Sequence, residues 1–204
     1  MDSMVETYED IKEMIDEALD SFRRNKLGLV RAGSNNNEAS GHLLQLSIGG
    51  IDVWRRLIVP DNCTLEELHK IIQAAFGWRN SMEYGFSAKD VIEESTTLKM
   101  LELDGITELH YEYGTKWTVK VIILSRYETP DTRPVRCITG SGSAPPEFIV
   151  GPVKFKRVLA SLESRNEIER ARARQELGSG FSYDEFDLET CNLNLKSLGS
   201  KIKF

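Results

Sequence analysis

Apolar positions near the start of the chain recur at steps of three and four, the period of a helix with one apolar face. The members of this stripe are Met4, Tyr8, Ile11, Ile15, Leu19 and Phe22. Residues 28–41 are mainly polar or turn-forming and show no periodicity. The pattern therefore predicts an N-terminal amphipathic helix and a flexible loop over residues 1–41, ahead of a folded domain over residues 42–204.

The next patterns predict a β-hairpin followed by a capped helix. Residues 43–48 and 53–59 are rich in apolar residues on either side of a Gly-Gly turn, as paired strands are. Thr64 begins the helix, because Glu67 stands three residues later and completes a capping box. Gly77 ends the helix. Its buried face is expected to carry Leu65, Leu68, Ile72 and Phe76.

The rest of the chain is expected to add strands first and then helices. Strands are predicted at residues 82–88, 109–113, 117–126 and 136–140, and helices at residues 98–103, 155–162, 168–177 and 187–198. The third of these strands is apolar on both faces, which is typical of a central strand. Residues 89–97 and 129–134 are expected to form loops. This order predicts an α+β fold with a mixed or antiparallel sheet packed against helices.

Composition favours a folded domain outside membranes. The chain has 204 residues, of which 40% are hydrophobic and 28% charged, enough for one packed core. No apolar run approaches the roughly 18 residues of a membrane span. No basic flank precedes an apolar stretch, as it does in a secretion signal. The three cysteines lie far apart, so reduced thiols are expected, and we predict a soluble, cytoplasmic protein.

Charge is distributed unevenly along the chain. The formal net charge is −6, whereas nucleic-acid-binding domains are usually basic, so a nucleic-acid partner is disfavoured. Residues 2–20 are acidic with Lys12 as their one base, and residues 154–174 are net basic. The simplest interpretation is two solvated helix faces. The alternative is that the acidic helix docks on the basic one, within one chain or across a dimer, so a protein partner or self-association stays open.

Three motifs carry a resemblance to a known family. Residues 53–60 read Val-Trp-Arg-Arg-Leu-Ile-Val-Pro, residues 64–69 read Thr-Leu-x-x-Leu-His, and residues 75–78 read Ala-Phe-Gly-Trp. In these motifs and their spacing the chain resembles the plasmid pRiA4b ORF-3-like family. Tyr-Glu-Tyr at residues 111–113 and Pro-Pro-Glu at residues 145–147 agree in order. The resemblance covers roughly residues 43–198, and it implies the family's fold but little about activity.

The chain departs from the family pattern at its polar positions. The family usually has a histidine where Met82 stands, and often another where Val119 stands. Its Asp-Phe-Gly-Asp motif is replaced here by Gly-Thr-Lys at residues 114–116, and Phe148 stands where an aspartate usually follows Pro-Pro-Glu. If those groups form a catalytic or metal site in relatives, most of that site is missing from this chain.

Three ionisable residues in the matching stretch are candidates for ligand binding. Arg55 and Arg56 point to opposite faces of their strand, because strand side chains alternate. Each either covers core with its aliphatic stem, with its head at the rim, or clamps a carboxylate or phosphate. His69 lies beside the buried stripe of its helix. It is either a surface histidine touching a strand or a polar group that faces a cleft.

Aromatic residues and one glutamate complete the candidate site. The aromatic candidates for a groove that binds peptide or bases are Trp78, Tyr84, Tyr111 and Trp117. Their alternative role is core packing, which is commoner for aromatics on adjacent strands. Glu147 lies in a rigid proline turn and lacks a second carboxylate at fixed spacing. His42 and His110 have no zinc-like spacing to a cysteine, so we predict no metal site and no cofactor.

The leading hypothesis is a non-catalytic binding or interaction domain, because the scaffold of the family is kept while its ionisable positions are lost. The alternative is an enzyme of unknown reaction with a degenerate polar cleft, in which Arg55 or Arg56 meets His69 and Glu147. A third hypothesis is a DNA-associated accessory protein of a mobile element that uses residues 154–174. The resolvase chemistry with which some relatives are labelled would need a serine framed by arginines, and neither end of this sequence has one.

Overall fold

One seven-stranded sheet and five helices make up the described part of this computed structural model, which covers residues 39–129, 135–178 and 180–199. The strands are β1 Ala39–Ile48, β2 Trp54–Pro60, β3 Tyr84–Ser87, β4 Val91–Ile92, β5 Glu108–Tyr113, β6 Trp117–Thr129 and β7 Arg136–Ser141. The helices are α1 Leu65–Phe76, α2 Leu98–Leu103, α3 Gly151–Leu162, α4 Glu167–Leu177 and α5 Leu188–Leu198. The predicted N-terminal helix lies outside the described residues.

The strand order is β4-β3-β5-β6-β1-β2-β7, and every pairing is antiparallel. The predicted α+β class is therefore confirmed, with an antiparallel rather than a mixed sheet. The β1–β2 hairpin forms as predicted, with Leu44 opposite Leu57. β6 occupies the middle of the sheet, as its apolar faces indicate. The proposed domain start at residue 42 falls inside β1, whose first residues pair with β6.

Two loop predictions were partly wrong, one at the beginning of β1 and one at the two-residue strand β4. Residues 39–41 were expected in a loop but extend β1, because β2 and β6 on either side supply backbone partners. Residues 89–97 were expected to be loop throughout, but β4 pairs with β3 there. The pairing of a strand end or of a two-residue strand depends on backbone hydrogen bonds to a neighbouring strand rather than on side-chain alternation. Hydrophobic periodicity therefore carries little signal for it.

The two faces of the sheet differ in polarity. Along β5 the buried residues Leu109, Tyr111 and Tyr113 alternate with exposed polar ones. The outer face carries ion pairs such as Lys120 Nζ to Glu108 Oε2 at 2.7 Å. This is the usual pattern of an antiparallel sheet with one wet face. The apolar inner face packs against helices, and α1 lies over it.

The ends of α1 follow from its sequence. The N–H of Glu67 donates to the Thr64 hydroxyl at 3.2 Å, while the Thr64 N–H donates to the Glu67 carboxylate at 3.0 Å. This is the predicted capping box. At the other end Gly77 adopts a φ of 68°, and its N–H returns to the carbonyl of Ala74. The apolar face between these caps is buried against the sheet, as predicted.

Residues in or next to the first turn also explain where the helices α3 and α5 begin. α3 starts four residues before the predicted position, because Pro152 fits the first turn, where its missing N–H costs nothing. α5 begins at the predicted cap, since the N–H of Thr190 donates to Asp187 Oδ1 at 2.9 Å. α5 packs against both α1 and β7. It therefore forms one wall beside the C-terminal end of α1.

Gly77→Ala is expected to lower the free energy of unfolding by about 1–2 kcal/mol, because an L-residue is strained at positive φ. No atom lies within 4 Å of the added methyl, so backbone strain is the cause. The matched control is Gly85→Ala in β3, which also has open space but lacks a positive φ. We expect it to leave stability unchanged or raise it by up to about 1 kcal/mol in urea unfolding. Equal unfolding midpoints for the two variants would contradict this explanation.

Candidate functional site

A closed ring of four hydrogen bonds lies between α1 and β5. His69 Nε2 is 2.9 Å from Asn80 Oδ1, and His69 Nδ1 is 2.8 Å from the Tyr111 hydroxyl. Gln73 closes the ring, since its amide donates to that hydroxyl and its oxygen accepts from the Asn80 N–H. Asn80 Oδ1 can only accept, so Nε2 of His69 carries the proton and Nδ1 receives the Tyr111 hydroxyl. Burial lowers the pKa of His69, which favours the neutral ring.

The predicted aromatic residues meet beside this ring. Tyr84 stacks on His69 with ring centres 3.5 Å apart, and Trp78 stacks on Tyr113 at 5.2 Å. Tyr111 lies between the two stacks, 6.1 Å from each tyrosine ring. Tyr111 is 0% exposed and Trp78 is 6% exposed, whereas Tyr84 is half-buried. Most of these aromatic rings therefore pack in the core, which is the alternative role considered for them in the sequence.

Two tryptophans hold the proline-containing loop at residues 145–149. The Trp78 indole donates to the carbonyl of Pro145 at 3.0 Å, and the Trp117 indole donates to that of Ile149 at 2.9 Å. Trp117 is 1% exposed, so its ring lies in the core and its N–H satisfies a buried carbonyl. Fastening both ends of the loop fixes the position of Glu147 between them.

Glu147 accepts hydrogen bonds from the loop that follows α1. Its carboxylate receives the N–H groups of Arg79 at 2.8 Å and Ser81 at 3.0 Å, together with the Ser81 hydroxyl at 2.9 Å. The Tyr113 hydroxyl donates to the same carboxylate. Partial burial raises the pKa of Glu147, but these donors outweigh it and lower the pKa below its usual value. The carboxylate is thus an internal clamp on residues 79–81.

Arg55 is the most heavily bonded cation of the candidate site. Its guanidinium donates to the carbonyl oxygens of Trp54 (2.7 Å), Ser141 (2.8 Å), Gly142 (2.9 Å) and Ala75 (3.4 Å). It also lies over two aromatic rings, 4.1 Å from the centre of Phe186 and 5.3 Å from that of Phe76. Arg55 is 3% exposed. Its donors are directed at backbone carbonyls rather than at a free anion.

Arg56 lies on the opposite face of the sheet, as strand alternation predicts. Its Nε donates to Gln45 Oε1 at 3.0 Å, and its guanidinium lies 5.1 Å from the centre of the Trp54 ring. The hydrogen-bond partners of Arg55, His69 and Glu147 have no residue in common. The geometry therefore brings His69 and Glu147 to the two sides of one loop, but places each arginine elsewhere.

Two adjoining clefts open beside the C-terminal end of α1. The larger, which we term the α1–α5 cleft, has a volume of about 610 Å³. Its lining includes Lys70, Gln73, Ala74, Trp78, Arg79 and Asn194. The smaller, the Arg55 cleft, has a volume of about 250 Å³ and includes Arg55, Phe186 and Cys191. Gly77 and Asn194 line both clefts, so the two clefts adjoin at these residues.

The sequence did not indicate most of the cleft residues. Of the predicted site residues, Trp78 lines the α1–α5 cleft and Arg55 lines the smaller one. Lys70 and Asn194 were missed because they meet only through the packing of α5 on α1. The sequence feature that could have indicated the clefts is Gly77, because it ends α1 and leaves space beside the end of that helix.

A second polar cluster lies at the beginning of β1, around a fully buried histidine. His42 Nδ1 is 3.1 Å from Asp61 Oδ1, and His42 Nε2 is 3.2 Å from Glu102 Oε2. The other oxygen, Asp61 Oδ2, accepts hydrogen bonds from the Ser40 hydroxyl at 2.6 Å and from Arg126 at 2.9 Å. These bonds join β1, β6, α2 and the end of β2. The cluster therefore has the form of a structural tie.

Within residues 39–129, 135–178 and 180–199, no three His, Cys, Asp or Glu side chains are grouped as ligands of a metal ion. Among the helices that the structure describes, none combines the length and the apolar character needed to span a membrane.

The fold and site define an antiparallel α+β domain whose candidate ionisable groups are bonded internally, beside open clefts. A family model described as Plasmid pRiA4b ORF-3-like protein matches residues 43–190. The chain belongs to this family, as its motifs in residues 53–78 predicted.

Two relatives place the family match in context. Uncharacterized protein y4hQ of Sinorhizobium fredii (strain NBRC 101917 / NGR234) is 25% identical over 159 residues, covering 70% of this chain and 81% of that protein. The crystal structure of protein of unknown function MM3350 from Methanosarcina mazei Go1 is 27% identical with a TM-score of 0.68. That match covers 74% of this chain and 97% of the other. Neither name states an activity, so these similarities support the fold and the family of this chain and give no information about its function.

Arg55→Met is expected to lower the free energy of unfolding by about 3 kcal/mol or more, because several buried carbonyls lose a charged donor. Methionine keeps most of the apolar stem, so lost packing contributes little. The matched control is Arg172→Met on the exposed side of α4, which we expect to change stability by less than about 0.5 kcal/mol. Both are measured by urea unfolding. A loss below about 1 kcal/mol in Arg55→Met would show that solvent replaces the guanidinium.

His69 is expected to make stability fall in mild acid. The folded protein has the lower pKa at His69, so the unfolded chain binds more protons as the pH falls below about 6.5. The contribution of the neutral ring is present above that pH and is lost below it. His69→Gln should therefore show a shallower loss of unfolding free energy between pH 7.5 and about 5.5 than the wild type. His110→Gln, at an exposed position of β5, is the matched control for the loss of one histidine, and an unchanged slope in His69→Gln would contradict this explanation.

Proposed function

We propose that this chain is a non-catalytic binding domain whose ligand lies in the α1–α5 cleft. The observation that carries the proposal is the contrast between bonded candidate residues and an open cleft beside them, mostly apolar with a few polar groups on its walls. Arg55, His69 and Glu147 all direct their polar atoms at the protein itself. A cleft of about 610 Å³ falls within the usual range for ligand sites, roughly 300–1,000 Å³.

The lining of the cleft favours a ligand with a carboxylate group. Arg79 is exposed at the rim, and its guanidinium makes no ion pair with the described residues. Lys70 adds a second cation, held at 2.7 Å by Glu66 in an exposed ion pair of low strength. A guanidinium matches a carboxylate with two parallel hydrogen bonds. The polar side chains of Asn80 and Asn194 add hydrogen-bonding capacity along the walls.

The Arg55 cleft suggests how such a ligand is oriented. The exposed residues Glu185 and Asp187 outnumber its one cation, Arg55, whose guanidinium is buried against backbone carbonyls, so the rim of this cleft is acidic. A carboxylate is therefore disfavoured at that rim and favoured near Arg79 in the neighbouring α1–α5 cleft. We therefore propose that the acidic group of the ligand occupies the α1–α5 cleft and that an uncharged or basic part extends past Gly77.

The test is a titration with small carboxylate fragments, each paired with its primary amide, followed by backbone amide NMR. We expect shifts concentrated at Ala74, Gly77 and Asn194 for the carboxylates, and weaker binding of the amides. Arg79→Gln should weaken carboxylate binding by about tenfold, since one charge-assisted hydrogen-bond pair is lost. Arg172→Gln is the matched control and should have no effect.

A second test of the proposed site fills the α1–α5 cleft with a bulky side chain. Ala74→Trp should abolish the shifts, whereas Ala171→Trp on the exposed side of α4 should preserve them. Shifts dispersed over other surfaces would refute the proposed site. Chemical conversion of a fragment would favour the enzyme alternative. Salt-dependent binding of duplex DNA through residues 154–174 would favour the DNA-associated alternative.

A further inference from the structure

Two of the three cysteines are neighbours in the fold, although 54 positions apart in sequence. Cys137 lies in β7 and Cys191 in the first turn of α5. Asn192 holds these elements in register, because its side chain accepts from the Cys137 N–H at 2.8 Å and donates to the Cys137 carbonyl at 3.0 Å. The two thiols are close enough for each to perturb the pKa of the other, while Cys137 Sγ donates to the Thr139 carbonyl at 3.3 Å.

The surroundings of the two thiols are unequal. Arg55 Nε and Cys191 Sγ approach the same carbonyl, that of Ala75, at 3.4 Å and 3.6 Å. The neighbouring Cys137 thiol lowers the pKa of Cys191; burial opposes this, and the charge of Arg55 supports it. The interaction with Cys191 and burial raise the pKa of Cys137, and the charge of Arg55 opposes them. Because it shares an acceptor with the Arg55 cation, Cys191 is the thiol better placed to react as a thiolate, with Cys137 beside it.

Cys191 also has a route to solvent. It is 4% exposed, but it lines the Arg55 cleft of about 250 Å³. A molecule as small as hydrogen peroxide fits such a space, since one water occupies about 30 Å³ in the liquid. Cys63 differs in this respect, because it is fully buried and does not line either cleft. Burial raises the pKa of Cys63.

We propose that Cys137 and Cys191 form an oxidisable dithiol, in which Cys191 reacts with a hydroperoxide and Cys137 closes an intramolecular disulfide between β7 and α5. This assignment does not depend on the proposed ligand of the α1–α5 cleft.

The reaction balances with hydrogen peroxide as the oxidant. The Cys191 thiolate attacks one peroxide oxygen, the O–O bond breaks, and the departing hydroxide takes up a proton to give water. The sulfur of Cys191 is then a sulfenic acid. The sulfur of Cys137 attacks it, the S–O bond breaks, and the Cys137 proton leaves with the hydroxyl as a second water. Two thiols and one peroxide thus give one disulfide and two waters.

The experiment treats the reduced full-length chain with one equivalent of hydrogen peroxide. Free thiols are then alkylated after unfolding and located by peptide mass spectrometry. We expect Cys137 and Cys191 to disappear together as one cross-linked peptide pair, while Cys63 is alkylated. Cys63→Ser is the matched control and should form the same disulfide at the same rate. Equal oxidation of Cys63, or a disulfide between two chains, would overturn the proposal.

Two variants separate the roles of the thiols. Cys137→Ser should stop at the sulfenic acid of Cys191, which a cyclic 1,3-diketone traps as a thioether. Cys191→Ser should slow the consumption of peroxide by about tenfold or more, because the remaining thiols are mostly protonated at neutral pH. Oxidation of that variant at the wild-type rate would refute the assignment of Cys191. The wild-type peptide map decides the pairing even if a variant folds poorly.

Discussion

The packing of this domain depends on one buried cation, the guanidinium of Arg55. Its donors reach carbonyls of β2, α1 and the segment that ends β7, so a single side chain joins three elements distant in sequence. The rings of Phe76 and Phe186 cover its two sides. The Arg55 cleft and the thiol pair lie in the same region because α5 must approach β7 and α1 there. A neutral side chain could not satisfy those carbonyls together.

Local rules predicted most of the fold. The capping box at Thr64, the stop at Gly77 and the cap at Asp187 act within a few residues, so they can be recognised without tertiary information. The alternation in β5 and the apolar character of β6 likewise reflect which sheet faces are wet. The start of β1 and the short β4 were not predictable, because backbone partners supplied by other strands define them.

The candidate site was predicted less well, for a physical reason. Strand alternation could place Arg55 and Arg56 on opposite faces, but it could not identify their acceptors. The carbonyls that Arg55 binds at Ser141 and Gly142 lie more than 80 positions away. Asn194 acquires a place in the clefts only because α5 packs against α1. A sequence pattern identifies residues whose side chains have useful chemistry, whereas the contact partners of those residues depend on the three-dimensional fold.

The hydrogen-bond ring of His69, Tyr111, Gln73 and Asn80 has a consequence for how this chain can evolve. Each member gives one bond and receives one, so replacing His69, Tyr111 or Gln73 leaves two unmatched groups in a mostly buried place, whereas replacing Asn80, which donates through its backbone N–H, leaves one. A replacement that supplies the missing donor or acceptor elsewhere in the ring recovers much of that loss. The four positions are thus expected to show epistasis and to covary in descendants, although His69 and Tyr111 are 42 positions apart.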